Sequence, residues 1–201
     1  PEIVPQAAPR ASMRPGAARW GGTIVPMDDI VRQAMAKWPN VPACFGWLGL
    51  DARGQWYLRD DEVQAAGSFP HSRGTLLRHE ALLAFIGRNY ASDAQGRWHF
   101  QNGPQRVYVE LEYAPWVWRI QAGLELLSHT GLEAQARRCL VDEAGRVYLE
   151  SDIGLGLVHS LDVGLAADAI AQGSWHLEEV AAESLPARYG FVRSPLAAPR
   201  D

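Results

Sequence analysis

A short pattern that occurs three times constrains the fold of this chain more than any other feature. In each copy an aspartate is followed three positions later by a glycine and then by an aromatic or β-branched run, at residues 51–58, 93–100 and 142–149. An aspartate side chain accepts hydrogen bonds from the backbone two residues on, and glycine adopts the left-handed conformation that closes a type I turn with a bulge. Each copy therefore predicts a β-hairpin.

The segment between the first two hairpins predicts a helix over residues 75–90, with Thr75 as its cap and a broad apolar stripe. The copies are spaced about as widely as propeller blades, but this helix interrupts them and three copies do not close a propeller. We therefore predict an α+β fold of two small lobes, built from repeated β-hairpin and helix units with mainly antiparallel sheet.

The distribution of prolines predicts the ends of the folded part. Residues 1–26 hold five prolines and no periodic apolar positions, which indicates a flexible N-terminal leader. We place an N-terminal lobe at residues 27–118 and a C-terminal lobe at residues 119–193. Residues 194–201 are predicted as a flexible tail.

Apolar periodicity predicts the remaining elements. A first helix should present Ile30, Ala34 and Trp38 on one face and end at Pro39. Strands over residues 106–112 and 116–120 should join the first two hairpins in one antiparallel sheet. Further along, we predict strands at 137–141, 146–150 and about 175–180, a glycine-rich segment from Gly154, and a helix at 163–171.

The composition excludes several classes of protein. With 47% apolar and 21% charged residues, the chain of 201 residues is neither disordered, collagenous nor a coiled coil. Its net charge of −4 argues against a nucleic-acid partner. Cys44 and Cys139 have no partner at metal spacing, and the six histidines are dispersed, so neither a metal nor a cofactor is predicted. No stretch has the ~20 apolar residues of a membrane helix and no signal peptide is evident, which favours a cytoplasmic protein without a membrane partner.

A resemblance to a known family rests on an ordered set of motifs between about residues 47 and 120. These are Asp51-x-x-Gly-x-Trp-Tyr, a leucine-rich helix ending in Phe85-Ile86, the turn at Asp93, and Gly103-Pro-Gln-Arg-Val-x-Val-Glu-x-Glu-x-Ala-Pro115. This order resembles the bacterial family of unknown function DUF1285, or a sister family of it. The resemblance implies a two-lobed α+β fold of repeated motifs, with a role in ligand sensing or signal transduction.

Charged residues of one strand form the first candidate binding site. Arg106, Glu110 and Glu112 have the parity opposite to the apolar positions of their strand, so they should emerge together on its polar side. Arg106 could bind an anionic group in a groove between the lobes. Charged cross-strand pairing is the alternative explanation.

Two further pairs of residues complete the candidate site. Trp116 and Trp118 follow a proline turn and either build the core or wall a ligand pocket or partner interface. Arg78 and His79 form a basic pair on the predicted helix, which either meets a carboxylate or phosphate or lies on a solvated face.

The known catalytic signatures that we sought, a nucleophile elbow, a Walker loop and His-Glu-x-x-His, do not occur. The leading hypothesis is therefore a non-enzymatic ligand-binding or regulatory module whose groove takes a small anionic ligand or a protein segment. One alternative is a hydrolase-like or transferase-like enzyme that uses Glu110, Glu112 or a histidine as acid and base. Another is a homodimer with the tryptophan-rich strand as its interface.

Overall fold

The computed structural model describes residues 27–198, in which twelve strands and five helices form a mixed α and β fold. The strands are β1 (Cys44–Leu50), β2 (Trp56–Leu58), β3 (Thr75–Leu76), β4 (Tyr90–Ser92), β5 (Trp98–Asn102), β6 (Gln105–Leu111), β7 (Trp116–Ile120), β8 (Glu125–Ser128), β9 (Glu133–Val141), β10 (Val147–Ser151), β11 (Gly154–Val158) and β12 (Leu177–Glu179). The helices are α1 (Asp29–Lys37), α2 (Asp61–Ala66), α3 (Glu80–Arg88), α4 (Val163–Ala171) and α5 (Leu185–Tyr189). The predicted leader, residues 1–26, and the last three residues of the predicted tail lie outside the described residues.

The first six strands form one sheet in the order β3-β2-β1-β6-β5-β4. The central pair, β1 and β6, is parallel, whereas the other neighbours are antiparallel. A parallel pair requires a long crossover, and here that crossover contains β2 to β5 together with α2 and α3.

The last six strands form a second sheet that closes on itself. Strands β10-β11-β7-β8-β9 make a five-stranded barrel because β9 also pairs with β10, and β12 adds to β9. The pairs β7–β11 and β9–β12 are parallel. The prediction that residues 116–120 join the first hairpins in one antiparallel sheet is therefore wrong, since this strand begins the barrel. The chain passes from the first sheet to the second in the segment between Leu111 and Trp116, which contains Pro115.

The three predicted turns share one hydrogen-bonding pattern. Asp51 Oδ1 accepts from the backbone N–H groups two and four residues on, at 2.8 Å each, and the Gly54 N–H donates to the Asp51 carbonyl at 3.1 Å. The turns at Asp93 and Asp142 repeat these bonds. Each turn joins two antiparallel strands, so the three hairpins are confirmed.

A fourth turn of this kind, between β8 and β9, has serine in place of aspartate. Ser128 Oγ accepts from the N–H groups of Thr130 and Leu132, and the Gly131 N–H donates to the Ser128 carbonyl at 2.9 Å. A serine hydroxyl can take the role of the aspartate carboxylate in such turns. The aspartate pattern alone does not detect it.

The predicted helix over residues 75–90 is shorter in the structure. Thr75 and Leu76 form β3, which pairs with β2, and α3 begins only at Glu80. His79 is its N-cap, because His79 Nδ1 accepts the Leu82 N–H at 3.3 Å. Thr75 and Leu76 therefore form backbone hydrogen bonds with the edge of β2 instead of with a first turn of helix.

Helix α1 is present as predicted, but the predicted apolar face is wrong. Ile30 is 72% exposed, whereas the neighbouring Val31 is 1% exposed. Asp28, just before the helix, binds the guanidinium of Arg88 at 3.2 Å and the side chain of Asn89. These contacts hold the start of α1 at the end of α3.

One hydrophobic core joins the two sheets. The rings of Tyr90 and Trp98 contact Trp116 of the barrel, with centroids 5.5 and 5.0 Å apart. The Tyr90 hydroxyl donates to the Pro115 carbonyl at 3.0 Å. Within residues 27–198, no helix combines the length and apolar character needed to cross a bilayer.

The glycine-rich segment forms strand β11 because the tryptophans of β7 lie against it. A Cβ atom at Gly156 would lie 2.3 Å from Trp118 Nε1 and 2.7 Å from Trp116 Cβ. The two indoles donate to backbone carbonyls, Trp118 to Leu149 and Trp116 to Ile153, at 3.0 Å each. Glycine is therefore required by the packing.

Candidate binding pocket

An apolar cavity of about 260 Å³ opens on one face of the first sheet, beneath helix α3. Three of its lining residues, Leu48, Ile86 and Phe100, are buried, and its rim includes the partly exposed Leu58 and Leu82. The remaining described residues that line it are Cys44, Trp47, Leu77, Asn102, Gln105 and Val107. Because Leu82 and Ile86 are four positions apart, they lie on the same side of α3.

Strand register places the lining side chains on a common face. Leu58 on β2 lies opposite Leu48 on β1, and Val107 on β6 lies between Cys44 on β1 and Phe100 on β5. The cavity thus crosses four strands, which corresponds to roughly 14 Å at a strand spacing of about 4.8 Å.

The two ends of the cavity differ in polarity. Asn102 and Gln105 are direct partners in the β5–β6 hairpin and bring two carboxamides to one end. Gln105 Nε2 donates to the Pro42 carbonyl at 3.2 Å, which orients the amide and leaves its Oε1 as an acceptor. At the other end, Leu58 and Leu77 present only hydrocarbon.

The seven residues predicted as a binding site do not line this cavity. Arg106 lies on β6 between Gln105 and Val107, but it is exposed on the opposite face, where its positive charge acts on His99. Arg78 and His79 are exposed before α3, and His79 serves there as the helix cap. The predicted binding roles of these residues stay predictions.

Glu110 is buried and is hydrogen-bonded within the chain. Glu110 Oε2 accepts from Ser194 Oγ at 2.5 Å, and Oε1 accepts the Leu196 N–H at 3.0 Å. Burial raises the pKa of Glu110, although these hydrogen bonds and the charge of Arg59 oppose the rise. The first residues of the predicted tail are thereby bound to the first sheet.

Glu112 belongs to a second group of charges, in which two buried carboxylates face the half-exposed guanidinium of Arg73. Glu112 Oε2 accepts the Ala52 N–H at 3.0 Å and lies 3.5 Å from Arg73 Nη2. Arg73 Nη1 lies 3.8 Å from Asp51 Oδ2, so one guanidinium serves two buried carboxylates. Glu110 and Glu112 are thus both engaged in contacts that hold the fold together.

Trp116 and Trp118 are completely buried in the common core. Both indole N–H groups are used within the barrel, as described above, and neither ring reaches the cavity.

The strongest electrostatic perturbations also lie away from the cavity. Burial lowers the pKa of His129 to about 3, and burial together with the charge of Arg106 lowers the pKa of His99 to about 4. Burial raises the pKa of Cys139 to about 11. In the described part of the chain, no group of three histidine, cysteine or acidic residues is placed to hold a metal ion.

The sequence does not reveal this cavity because its lining comes from several separate elements, each of which accounts for its apolar residues as ordinary core. Trp47 shows the difficulty most clearly. The register of β1 shifts between Cys44 and Leu48, and Gly46 adopts a φ of +79°. This irregularity brings Trp47 to the rim of the cavity, and only the three-dimensional pairing of β1 with β6 reveals it.

Comparison with known proteins links the chain to uncharacterised families. A family model described as "Protein of unknown function (DUF2946)", with the family name DUF2944, matches residues 27–196. The structure is also similar to the crystal structure of a DUF1285 family protein from Silicibacter pomeroyi DSS-3. That similarity has 15% identity over 67% of this chain and 74% of the other, with a TM-score of 0.44. The sequence motifs indicate a resemblance to DUF1285, whereas the family model that matches the chain is that of DUF2944. No curated protein matches the chain.

Proposed function

The chain belongs to the DUF2944 family, whose description assigns no activity, and we propose that it is a non-enzymatic module that binds a small, mainly apolar molecule in the cavity on its first sheet. The observation that carries this proposal is the apolar lining. Leu58 and Leu82 remain partly exposed at the rim although they adjoin buried leucine and isoleucine side chains.

The shape of the cavity favours a small molecule as its occupant. Ligand sites are concave and lined mainly by apolar and aromatic side chains, with a few polar groups that set orientation. This cavity has that composition, with Trp47 and Phe100 as aromatic walls and two carboxamides at one end. A ligand that covers Leu82 removes apolar surface from water, at about 25 cal/mol for each Å² buried.

Two wider predictions stay proposals beside this one. We propose that the first sheet and the barrel are the two lobes, and that the three aspartate turns mark a duplicated scaffold. The identical hydrogen bonds of the turns support the second proposal.

The test is to titrate the protein with 1-decanol and follow binding by calorimetry and by NMR shifts of the leucine methyl groups. The variant Leu82→Asp should weaken binding at least about tenfold, because it replaces buried hydrocarbon with a charge. An acidic residue in the first turn of α3 suits the helix dipole, so the fold should be retained.

Leu165→Asp is the matched control. Leu165 is the third residue of nine-residue α4 and is 47% exposed, and Leu82 is the third residue of nine-residue α3 and is 38% exposed. Leu165 lies on the barrel side of the molecule and should not affect binding. The proposal is wrong if 1-decanol does not bind, or if both variants bind it equally. It is also wrong if sedimentation shows that a second copy of the chain covers the cavity and that Leu82→Asp separates the copies.

A further inference from the structure

The two carboxamides that line the cavity, those of Asn102 and Gln105, are uncharged and lie at one end, where Asn102 is exposed. Asn102 and Gln105 face each other across the β5–β6 hairpin, and such direct partners have Cβ atoms about 5 Å apart. Among the described residues, neither the Asn102 side chain nor Gln105 Oε1 has a hydrogen-bond partner. A carboxamide can donate and accept, so this pair can bind a hydroxyl, an amide or another neutral polar group.

The alternation of side chains along β6 keeps the charge of Arg106 off the face that forms the cavity. Arg106 lies between Gln105 and Val107, both of which line the cavity, so its side chain projects from the other face. On that face it acts on His99 and Tyr108. No described residue that lines the cavity is an acid, a lysine or an arginine. The carboxamide end, where Asn102 is exposed, offers an ionised head group no counter-ion, and drawing such a group into the apolar part of the cavity would cost it hydration, which is strongly unfavourable.

The opposite end accepts hydrocarbon. Leu58 and Leu77 lie on the β2 side of the cavity, two strands from Gln105 on β6 and three from Asn102 on β5. The roughly 14 Å between these ends suits an extended molecule better than a compact one.

We propose that the ligand is a linear amphiphile with an uncharged hydrogen-bonding head group, which binds with its head at Asn102 and Gln105 and its hydrocarbon tail toward Leu58 and Leu77. This inference rests on the proposed function, because it specifies the chemistry of the molecule that the cavity binds. It excludes fatty acids and alkyl amines as the preferred class, since both are ionised at neutral pH.

The test compares 1-decanol, decanoate and decylamine, three probes that have the same tail length and differ in the charge of the head group. Calorimetry at neutral pH should give the tightest binding for 1-decanol, with both ionised probes at least about tenfold weaker. The variant Asn102→Asp places a carboxylate at the polar end and should make decylamine the tightest-binding probe. Asn102 is exposed, so this nearly isosteric change should preserve the fold.

Gln121→Glu is the control, because it adds the same charge at an exposed position beside β7 of the barrel and should leave the order of the probes unchanged. The inference is overturned if decanoate or decylamine binds the wild type as tightly as 1-decanol, or if Asn102→Asp does not change the order of the probes. In either case the proposed function still stands. If none of the three probes binds, the proposed function and this inference both fail.

Discussion

Among single residues, His129 has the most unusual environment. Its Nδ1 accepts the Val117 N–H at 3.3 Å, and its Nε2 has no hydrogen-bond partner in the described structure. The ring lies between Trp56, Tyr90 and Trp116, at centroid distances of 5.5 to 5.8 Å. The imidazole is therefore neutral, and burial lowers its pKa to about 3.

This environment predicts that stability depends on pH. In the unfolded chain the histidine pKa is 6.5, whereas His129 and His99 titrate in the fold at about 3 and about 4. The unfolded state thus binds protons that the folded state does not bind. The stability that the two neutral histidines contribute is fully present above pH 6.5. It is lost as the pH falls below that value, at roughly 1.4 kcal/mol for each histidine and pH unit. Urea unfolding between neutral pH and pH about 5, where carboxylates remain ionised, measures this slope.

The variant His129→Asn separates this contribution from other effects. Asparagine can accept the Val117 N–H but does not titrate, so we expect lower stability at neutral pH and a slope smaller by roughly 1.4 kcal/mol per pH unit. His79→Asn is the matched control at an exposed position, where asparagine can also cap α3, and it should leave the slope unchanged. An unchanged slope in His129→Asn would contradict the prediction.

Among the structural elements, the aspartate turns show how local chemistry and tertiary packing combine. The turn is local, since one carboxylate and one left-handed glycine close it, and for this reason its position is evident in the sequence. The packing around each turn, in contrast, depends on residues that are distant in the sequence. At Gly145 a Cβ atom would have no neighbour within 4 Å, whereas at Gly96 it would lie 2.1 Å from the Gly190 carbonyl oxygen.

We predict that an alanine substitution lowers the unfolding free energy by different amounts at these two glycines. Both have nearly equal φ, +75° at Gly145 and +76° at Gly96, so alanine should cost each about 1 to 2 kcal/mol of unfolding free energy through backbone strain. Gly96→Ala should cost about 1 to 3 kcal/mol more, because the segment around Gly190 must move. Denaturant unfolding of the two variants measures the difference. Equal losses would show that the contact at Gly190 does not constrain the turn.

The helices show where local pattern is insufficient. Residues 163–171 form α4 as predicted, whereas the segment predicted as one helix over residues 75–90 is divided among β3, α3 and β4. In the second case the edge of β2 supplies backbone partners from elsewhere in the chain. Apolar residues at helical spacing do not indicate that the first residues of the segment will pair with the edge of another strand.

For the whole molecule, the decisive feature is the single core that joins the first sheet to the barrel. Trp116 is completely buried and contacts Tyr90 and Trp98 of the first sheet, and Trp118 lies beside it at 6.0 Å. Two sheets that share such a core should unfold together.

Trp116→Ala tests this cooperativity. The substitution should lower the unfolding free energy by about 3 to 5 kcal/mol. Native-state hydrogen exchange should then accelerate to the same extent at Val109 in the first sheet and at Leu149 in the barrel. Faster exchange in the barrel alone would show that the two sheets are independent units. The matched change Trp38→Ala, at the exposed residue that caps the C-terminus of α1, should leave both rates unchanged.

Local chemistry determined the three hairpins, the Pro115 break and helix α4, because turn residues and short apolar periods act over a few positions of the chain. Tertiary structure alone decided that β1 pairs in parallel with β6, that β7 begins a closed barrel, and that Glu110 and Glu112 are engaged within the fold. It also assembled the cavity, whose lining residues are distant in sequence and meet only through strand register and the position of α3. The physical reason is that hydrogen bonding across strands and burial of apolar surface depend on which distant segments meet, and local sequence patterns do not encode that.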